Sequence, residues 1–254
     1  MSPKAKYLFT LKEKRAVGDD TYDFAFTTDK RVRFQPGQYM EWTLGDPKRT
    51  GAAKTKNDLR GNRRYFTLAS SPTEPSVRLG VKFYDPMSSF KKNLISMEPG
   101  DALMGGQLAG DFTLPRDPRK KLVFIAGGIG ITPFRSMVKY LSDSGEKCDV
   151  VLFYSNRTPD EIAYRDVLDE GAAKFGLRTV YAITDANAAA SSAATDTING
   201  RIDANLIART VPDFHDRMFY ISGTHAMVSL FKKTLADLGV PRRNIKTDFF
   251  PGFA

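Results

Sequence analysis

Two short runs concentrate the residue types that handle phosphate and redox cofactors. In IAGGIGITPF, Gly127, Gly128 and Gly130 follow an apolar stretch, and Thr132-Pro133 opens a helical pattern. Glycines let a backbone approach an anion without interference from a Cβ, and a helix N-terminus offers unpaired N–H donors and a favourable dipole. The segment is a candidate phosphate-holding turn, the alternative being a plain tight turn. Pro133 stands where the last glycine of Gly-x-Gly-x-x-Gly would be, so a dinucleotide would be held differently from the standard fingerprint. In RRYFTLASSP, Arg64, Phe66 and Thr67 offer a forked cation, a flat ring and a hydroxyl within four residues. A guanidinium suits a phosphate, whereas Phe66 read by itself could equally be a core aromatic.

Other chemistries lack their residues. A single cysteine, Cys148, and two histidines, His215 and His225, cannot build an iron–sulfur, structural-zinc or His-rich metal centre. Neither Gly-x-Ser-x-Gly nor His-Glu-x-x-His occurs, so the chain offers no hydrolytic nucleophile or zinc base of those types. The expected chemistry is a cofactor's, with no metal.

The elements that must position these runs divide the chain in two. Residues 6–15, 21–27, 38–44, 64–69, 77–84 and 101–107 are rich in β-branched and aromatic residues and are punctuated by Pro36-Gly37, Gly45-Asp46-Pro47 and Pro99-Gly100. They predict an antiparallel β-barrel, with one helical piece at 88–97. From Lys121 onward apolar strands (122–126, 150–154, 179–184, 218–222, 245–249) alternate with helices (133–141, 159–175, 204–210, 225–238), the pattern of a parallel α/β sheet. Thr132 and Asp203 are placed as helix N-caps, and the Ala/Ser-rich residues 186–199 as a surface excursion. The expected domains are 1–117 and 118–254.

The 254 residues, 41% hydrophobic and 26% charged, suffice for two modest globular cores. The longest apolar stretch, 122–131, is about half a membrane span, and a soluble, cytoplasmic chain is expected. Of the net charge of +9, residues 1–117 carry +6, and residues 48–64 alone account for that surplus. This basic run is either a solvated loop or a docking surface for an acidic partner or phosphates. Nucleic acid is not expected, because no helix-turn-helix, zinc-finger or aromatic RNA-binding signature accompanies the charge.

In order along the chain, Pro36-Gly37-Gln38, RRYFT, Gly110-Asp111-Phe112 and GGIGITP resemble the motifs of the ferredoxin–NADP reductase family, over essentially the whole sequence. The resemblance implies an N-terminal flavin-binding barrel followed by a nucleotide-binding α/β domain. It implies that Arg64 pairs with a flavin phosphate, that Tyr65 and Phe66 lie at the flavin, and that Thr67 stands near N5, with Lys82, Ser88 and Ser89 as further cofactor contacts. Ser88 and Ser89 would mark FAD rather than FMN, although the spacing from Ser89 to Leu94 departs from the family's and leaves FMN open. It implies that Gly128, Gly130 and Thr132 hold the NAD(P) pyrophosphate. In YISGTHAMV, Ser222 and Gly223 resemble the family's Cys-Gly pair beside the nicotinamide, with Ser222 in the Cys position and Thr224 in place of Pro; Ser222 and Thr67 are the candidate catalytic residues. Phe249, Phe250 and Phe253 resemble terminal aromatics that cover the flavin. Asp185 resembles the acid of the family's NADH-using branch and would favour NADH by bonding a ribose hydroxyl, while Arg157 would welcome the 2′-phosphate of NADPH.

The expected function is NAD(P)H-dependent reduction of bound flavin, followed by electron release to a separate acceptor. Acidic ferredoxin or flavodoxin is the expected partner, with a membrane redox partner second. One alternative is a reductase module excised from a larger membrane oxidoreductase. Another is a non-catalytic flavin- and nucleotide-binding interaction subunit, favoured only by the altered Cys-Gly-Pro segment.

Overall fold

A computed structural model describes residues 7–44, 61–185, 187 and 197–248, and the backbone of 249–250. The first half forms strands β1 (Tyr7–Gly18), β2 (Thr21–Thr28), β3 (Tyr39–Leu44), β4 (Arg63–Thr67), β5 (Val77–Lys82) and β6 (Ala102–Ala109) in an antiparallel sheet of order β4-β3-β6-β1-β2-β5. Alternate side chains point inward, as in β3, where Met40, Trp42 and Leu44 are buried and the residues between them are not. Trp42 packs against Phe9 and Phe26 at 4.5 and 5.6 Å between ring centroids, and helix α1 (Ser89–Ile95) adds Phe90 and Leu94 to this core. The sheet curls into a half-barrel whose edge strands β4 and β5 share no ladder. Just beyond β4 they are drawn together by the Ala69 N–H donating to the Arg78 carbonyl (2.8 Å) and the Arg78 N–H donating to Ser70 Oγ (3.0 Å).

The second half is a parallel sheet of β7 (Leu122–Gly127), β8 (Val150–Asn156), β9 (Arg178–Ile183), β10 (Thr197–Asn199), β11 (Met218–Thr224) and β12 (Ile245–Phe250), in the order β10-β9-β8-β7-β11-β12. Helices α2 (Thr132–Ser144), α3 (Arg165–Phe175), α4 (Ala204–Thr210) and α5 (His225–Asp237) alternate with its strands. Residues 122–126 are all buried, which explains their unbroken apolar run: a strand covered on both faces has no polar side. The strand order reverses between β7 and β11, and such a switch point leaves a crevice at the carboxyl ends of the two strands.

Three local readings change. Thr132 does not cap α2: a 3-10 turn over Gly128–Ile131 runs straight into the helix, Ile131 holds the cap position with helical backbone, and Thr132 Oγ1 instead donates to the Ile129 carbonyl (3.2 Å). Asp203 does cap α4, accepting the Leu206 N–H at 2.7 Å. The helix expected over 159–175 is broken, because Tyr164 takes a left-handed conformation (φ +61°) and α3 begins only after it. For a bulky residue that conformation costs about 1 kcal/mol or more and persists only where surrounding contacts demand it. Within 186–199, residues 197–199 form the short edge strand β10 beside β9, too brief for any pattern to reveal.

Candidate functional site

The two glycine-bearing segments of the second half meet at the switch point. β7 and β11 are neighbours with Ala126 opposite Ser222. A Cβ on Gly130 would lie 2.4 Å from the Ser222 carbonyl oxygen, and Cβ atoms on Gly127 and Gly223 would lie 2.2 and 2.9 Å from Met227 Sδ. Glycine is therefore required at Gly130, where the turn rests on the backbone of the strand end, whereas at Gly127 and Gly223 a side chain would have to displace the flexible end of Met227. Gly128 differs: at φ +50° it has no atom within 4 Å of a built Cβ, so its backbone faces open space. Ser222 is fully buried, and its Oγ has no hydrogen-bond partner among the described residues. A buried hydroxyl without a partner is costly, and here it stands at the crevice end of a strand, where a ligand group could satisfy it. Thr224 caps α5 by accepting the Met227 N–H at 3.3 Å. In the ladder Phe249 pairs with Gly223 and Phe250 with Thr224, so β12 brings both to this end; Phe253 lies outside the described residues.

Arg157 and Asp185 also come together, since the Asp185 N–H donates to the Arg157 carbonyl at 3.0 Å. Asp185 Oδ1 accepts the Asn187 N–H (3.0 Å). The Arg157 side chain is 73% exposed, with its guanidinium 3.9 Å from Glu161, which also accepts the Arg157 backbone N–H (2.9 Å). Lys82, at the end of β5, reaches across to the same carboxylate at 2.9 Å. Burial works against ionisation of Glu161, but Lys82 and the Arg157 N–H outweigh it and hold the carboxyl below its ordinary range.

In the first half, β4 carries Arg64, Tyr65, Phe66 and Thr67 in register with β3, with Phe66 opposite Met40 and Thr67 opposite Tyr39. Phe66 is partly buried and meets Phe90 at 5.7 Å, and the Arg64 guanidinium lies 5.6 Å from the Phe90 centroid, so cation and rings form one cluster. Arg64 also donates to the carbonyls of Gly61 (3.1 Å) and Arg63 (2.7 Å). Tyr65 is 54% exposed and donates to Glu41 (2.8 Å), a bond that pushes its phenol up. Thr67 is buried. Ser88 caps α1 through the Lys91 N–H (3.3 Å) and Ser89 is the first helical residue. Lys91 sits 4.0 Å over the Tyr84 ring and donates to the Lys82 carbonyl (2.6 Å); burial lowers its ammonium to about 8. Residues 45–60, most of the basic run, lie outside the described residues.

Sequence reasoning missed the polar network that joins the halves. Arg135, one turn into α2 and 3% exposed, donates to the Ala69 carbonyl (3.0 Å) and to both oxygens of Glu74, and Ser136 donates to the Ser70 carbonyl (2.6 Å). Burial disfavours the Arg135 cation, yet Glu74 holds its pKa above the ordinary value. The one sequence signal was Gly80 inside strand VRLGVK, because a glycine in mid-strand often marks a close approach. Among the described residues, no cluster of three or more His, Cys, Asp or Glu could hold a metal, and no helix is long and apolar enough to cross a membrane.

A curled antiparallel sheet beside a parallel sheet, with a glycine turn at the switch point, matches the two-domain fold of ferredoxin–NADP reductases. Residues 124–233 match the oxidoreductase NAD-binding domain. The reductase subunit of stachydrine N-demethylase from Rhizobium meliloti is 26% identical over 92% of this chain and 64% of its own length. Cytochrome P450 reductase from Amycolatopsis superposes with a TM-score of 0.80 at 20% identity, over 98% of this chain and 71% of that one. Ferredoxin NADP+ reductase from Neisseria gonorrhoeae, solved with FAD and NADP, superposes at 0.76 and 19% identity over 96% of this chain and 99% of that one. Residues 124–233 thus carry an oxidoreductase NAD-binding domain, and the chain as a whole has the two-domain fold of the ferredoxin reductases it resembles. It spans between 51% and 70% of the length of three curated relatives that it matches.

Proposed function

We propose that this chain is a reductase module that takes reducing equivalents from NADH, rather than NADPH, onto FAD and delivers them to a separate electron acceptor. One observation carries the reading: helix α2, which opens at the glycine turn, bonds the carbonyls of Ala69 and Ser70, two and three residues past Thr67 of the RRYFT strand. The nucleotide turn and the flavin strand are thereby held side by side. Bound FAD would supply the capacity to accept two electrons as hydride and release them singly. The chain's residues do the holding. Arg64 would bind a flavin phosphate, Phe66 backed by Phe90 would support the ring system, and buried Thr67 would present its hydroxyl. Tyr65, Lys82, Ser88 and Ser89 would complete the flavin contacts, Lys82 in exchange with Glu161. Gly128, Gly130 and Thr132 would take the pyrophosphate, and Ser222 with Gly223 would orient the nicotinamide, with Phe249 and Phe250 at the same end.

The preference for NADH rests on Asp185, whose carboxylate would bond a ribose hydroxyl and repel a 2′-phosphate, and on Glu161, which draws on the charge of Arg157. A separate acceptor fits the naming of one relative as a reductase subunit. The net charge of +9 favours an acidic protein such as a ferredoxin or flavodoxin. Anaerobic titration of the flavin-loaded protein with NADH and with NADPH tests the reading. Bleaching of the oxidised flavin band by NADH at lower concentrations than by NADPH is expected. A flavin that neither nucleotide reduces would sink the reductase reading and leave a binding subunit, and release of FMN rather than FAD on denaturation would correct the cofactor.

A further inference from the structure

The interface between the halves is built around a socket. Gly80 in β5 has no side chain, and the space is filled from the other half: a Cβ there would lie 2.4 Å from Tyr164 Oη and 2.7 Å from Thr132 Cγ2. Tyr164 is 2% exposed, holds the left-handed backbone described above, and donates to Asp23 Oδ1 at 2.9 Å. Asp23 is fully buried and its other oxygen takes the Arg78 guanidinium. Arg78 passes the contact to Glu74 (3.6 Å), and Glu74 binds Arg135 of α2, whose guanidinium lies 5.6 Å from the Tyr164 ring. The chain of contacts closes on itself: Tyr164 to Asp23, Arg78, Glu74, Arg135 and back to Tyr164. Every link on the barrel side lies on β2, β5 or the segment after β4 that continues from Thr67. Every link on the other side lies on α2 or at the start of α3. Thr132, a residue of the glycine turn, is itself one wall of the socket. A loop of this kind over-determines one distance, that between the nucleotide turn and the end of the flavin strand. Strain at Tyr164 is what such over-determination looks like in a backbone.

We infer that Tyr164, seated against Gly80, is a positioning residue that sets the reach from bound nicotinamide to flavin. It therefore controls the rate of hydride transfer rather than the affinity for either cofactor. The inference rests on the reductase reading, and it predicts a split that a purely structural tyrosine would not produce. Reactions at a bound pair fall steeply with small displacements, up to about 100-fold for roughly 1 Å. In stopped-flow reduction of the FAD-loaded protein, Tyr164→Phe should retain FAD and bind NADH with near-unchanged Kd, while the limiting reduction rate falls about 10-fold or more. Gly80→Ala, which forces the contact apart, should fall further. Hydrogen exchange of both variants without nucleotide should show faster exchange at the Ala69 and Arg78 amides, while those of Phe24 and Phe124 keep their protection. Limiting rates equal to the parent's would overturn the inference, as would loss of FAD or of NADH affinity in Tyr164→Phe with the rate intact. If the parent itself is not reduced, the reductase reading fails on its own account. The exchange pattern then decides the matter, unaltered exchange at Ala69 and Arg78 overturning the coupling.

Discussion

Replacing Arg135 by methionine isolates a buried charged contact between the two halves. Methionine preserves much of the volume, so the loss is chiefly electrostatic. The Arg135 side chain is 4% exposed, and its removal strands a Glu74 carboxylate whose side chain is itself only 12% exposed. Breaking a buried pair from one side costs about 3–5 kcal/mol, because the remaining charge is uncompensated. Glu74 keeps Arg78 at 3.6 Å and the Ser71 N–H at 2.6 Å, which places the expected loss at the low end, about 3 kcal/mol. For a chain of this size that corresponds to a fall in Tm of roughly 6–12 °C. Thermal unfolding followed by circular dichroism on Arg135→Met, Glu74→Gln and the double variant would measure it. The double variant should be less unstable than the sum of the singles, with a coupling of about 1–3 kcal/mol. Additive single effects, or a Tm for Arg135→Met within about 2 °C of the parent, would refute the argument that this pair bonds the halves.

Three further outcomes follow from the same geometry. Arg64→Ala removes one charged contact of about 1.5–3 kcal/mol and should weaken flavin retention roughly 10- to 150-fold in equilibrium dialysis; unchanged retention would remove Arg64 from the phosphate site. Asp185→Ser should raise NADPH use relative to NADH in steady-state assays, whereas equal loss with both nucleotides would deny it a discriminating role. Lys91→Met should alter the pH dependence of stability of the flavin-free protein. Burial holds the folded Lys91 near 8, below its ordinary value of 10.5, so its protonation costs stability below pH 8 and that cost is relieved as pH rises from about 8 to 10.5. The variant's stability relative to the parent, by urea denaturation, should therefore decline across that window, and a constant difference would show that Lys91 is not held in the low state.

Local patterning was legible because it depends on neighbours in sequence. Alternation in β3 and the unbroken apolar run of β7 report whether one or both faces of a strand are covered, and the Asp203 cap satisfies an N–H three residues away. The runs GGIGITP and RRYFT were equally visible, since glycine spacing and an Arg-x-aromatic-Thr step are properties of the chain itself. The 3-10 turn that merges into α2 rests on the end of β11, and Tyr164 broke a helix-compatible run where it bonds Asp23 of the other half, so tertiary contacts overrode local propensity at both places.

The sequence by itself determined that there are two halves of different period and which segments present glycine, hydroxyl and guanidinium groups, and it led to the expectation of a cofactor's chemistry. Only the tertiary structure decided that Gly130 rests on Ser222, that Asp185 is bonded to Arg157, and that Lys82 is tied to Glu161. The same holds for the socket at Gly80 and the Asp23–Arg78–Glu74–Arg135 network, whose partners are separated by as many as 141 residues, as in Tyr164 to Asp23. A buried charge or a missing Cβ has meaning only once its neighbour is known, and those neighbours are supplied by tertiary packing, within the second half and between the two halves.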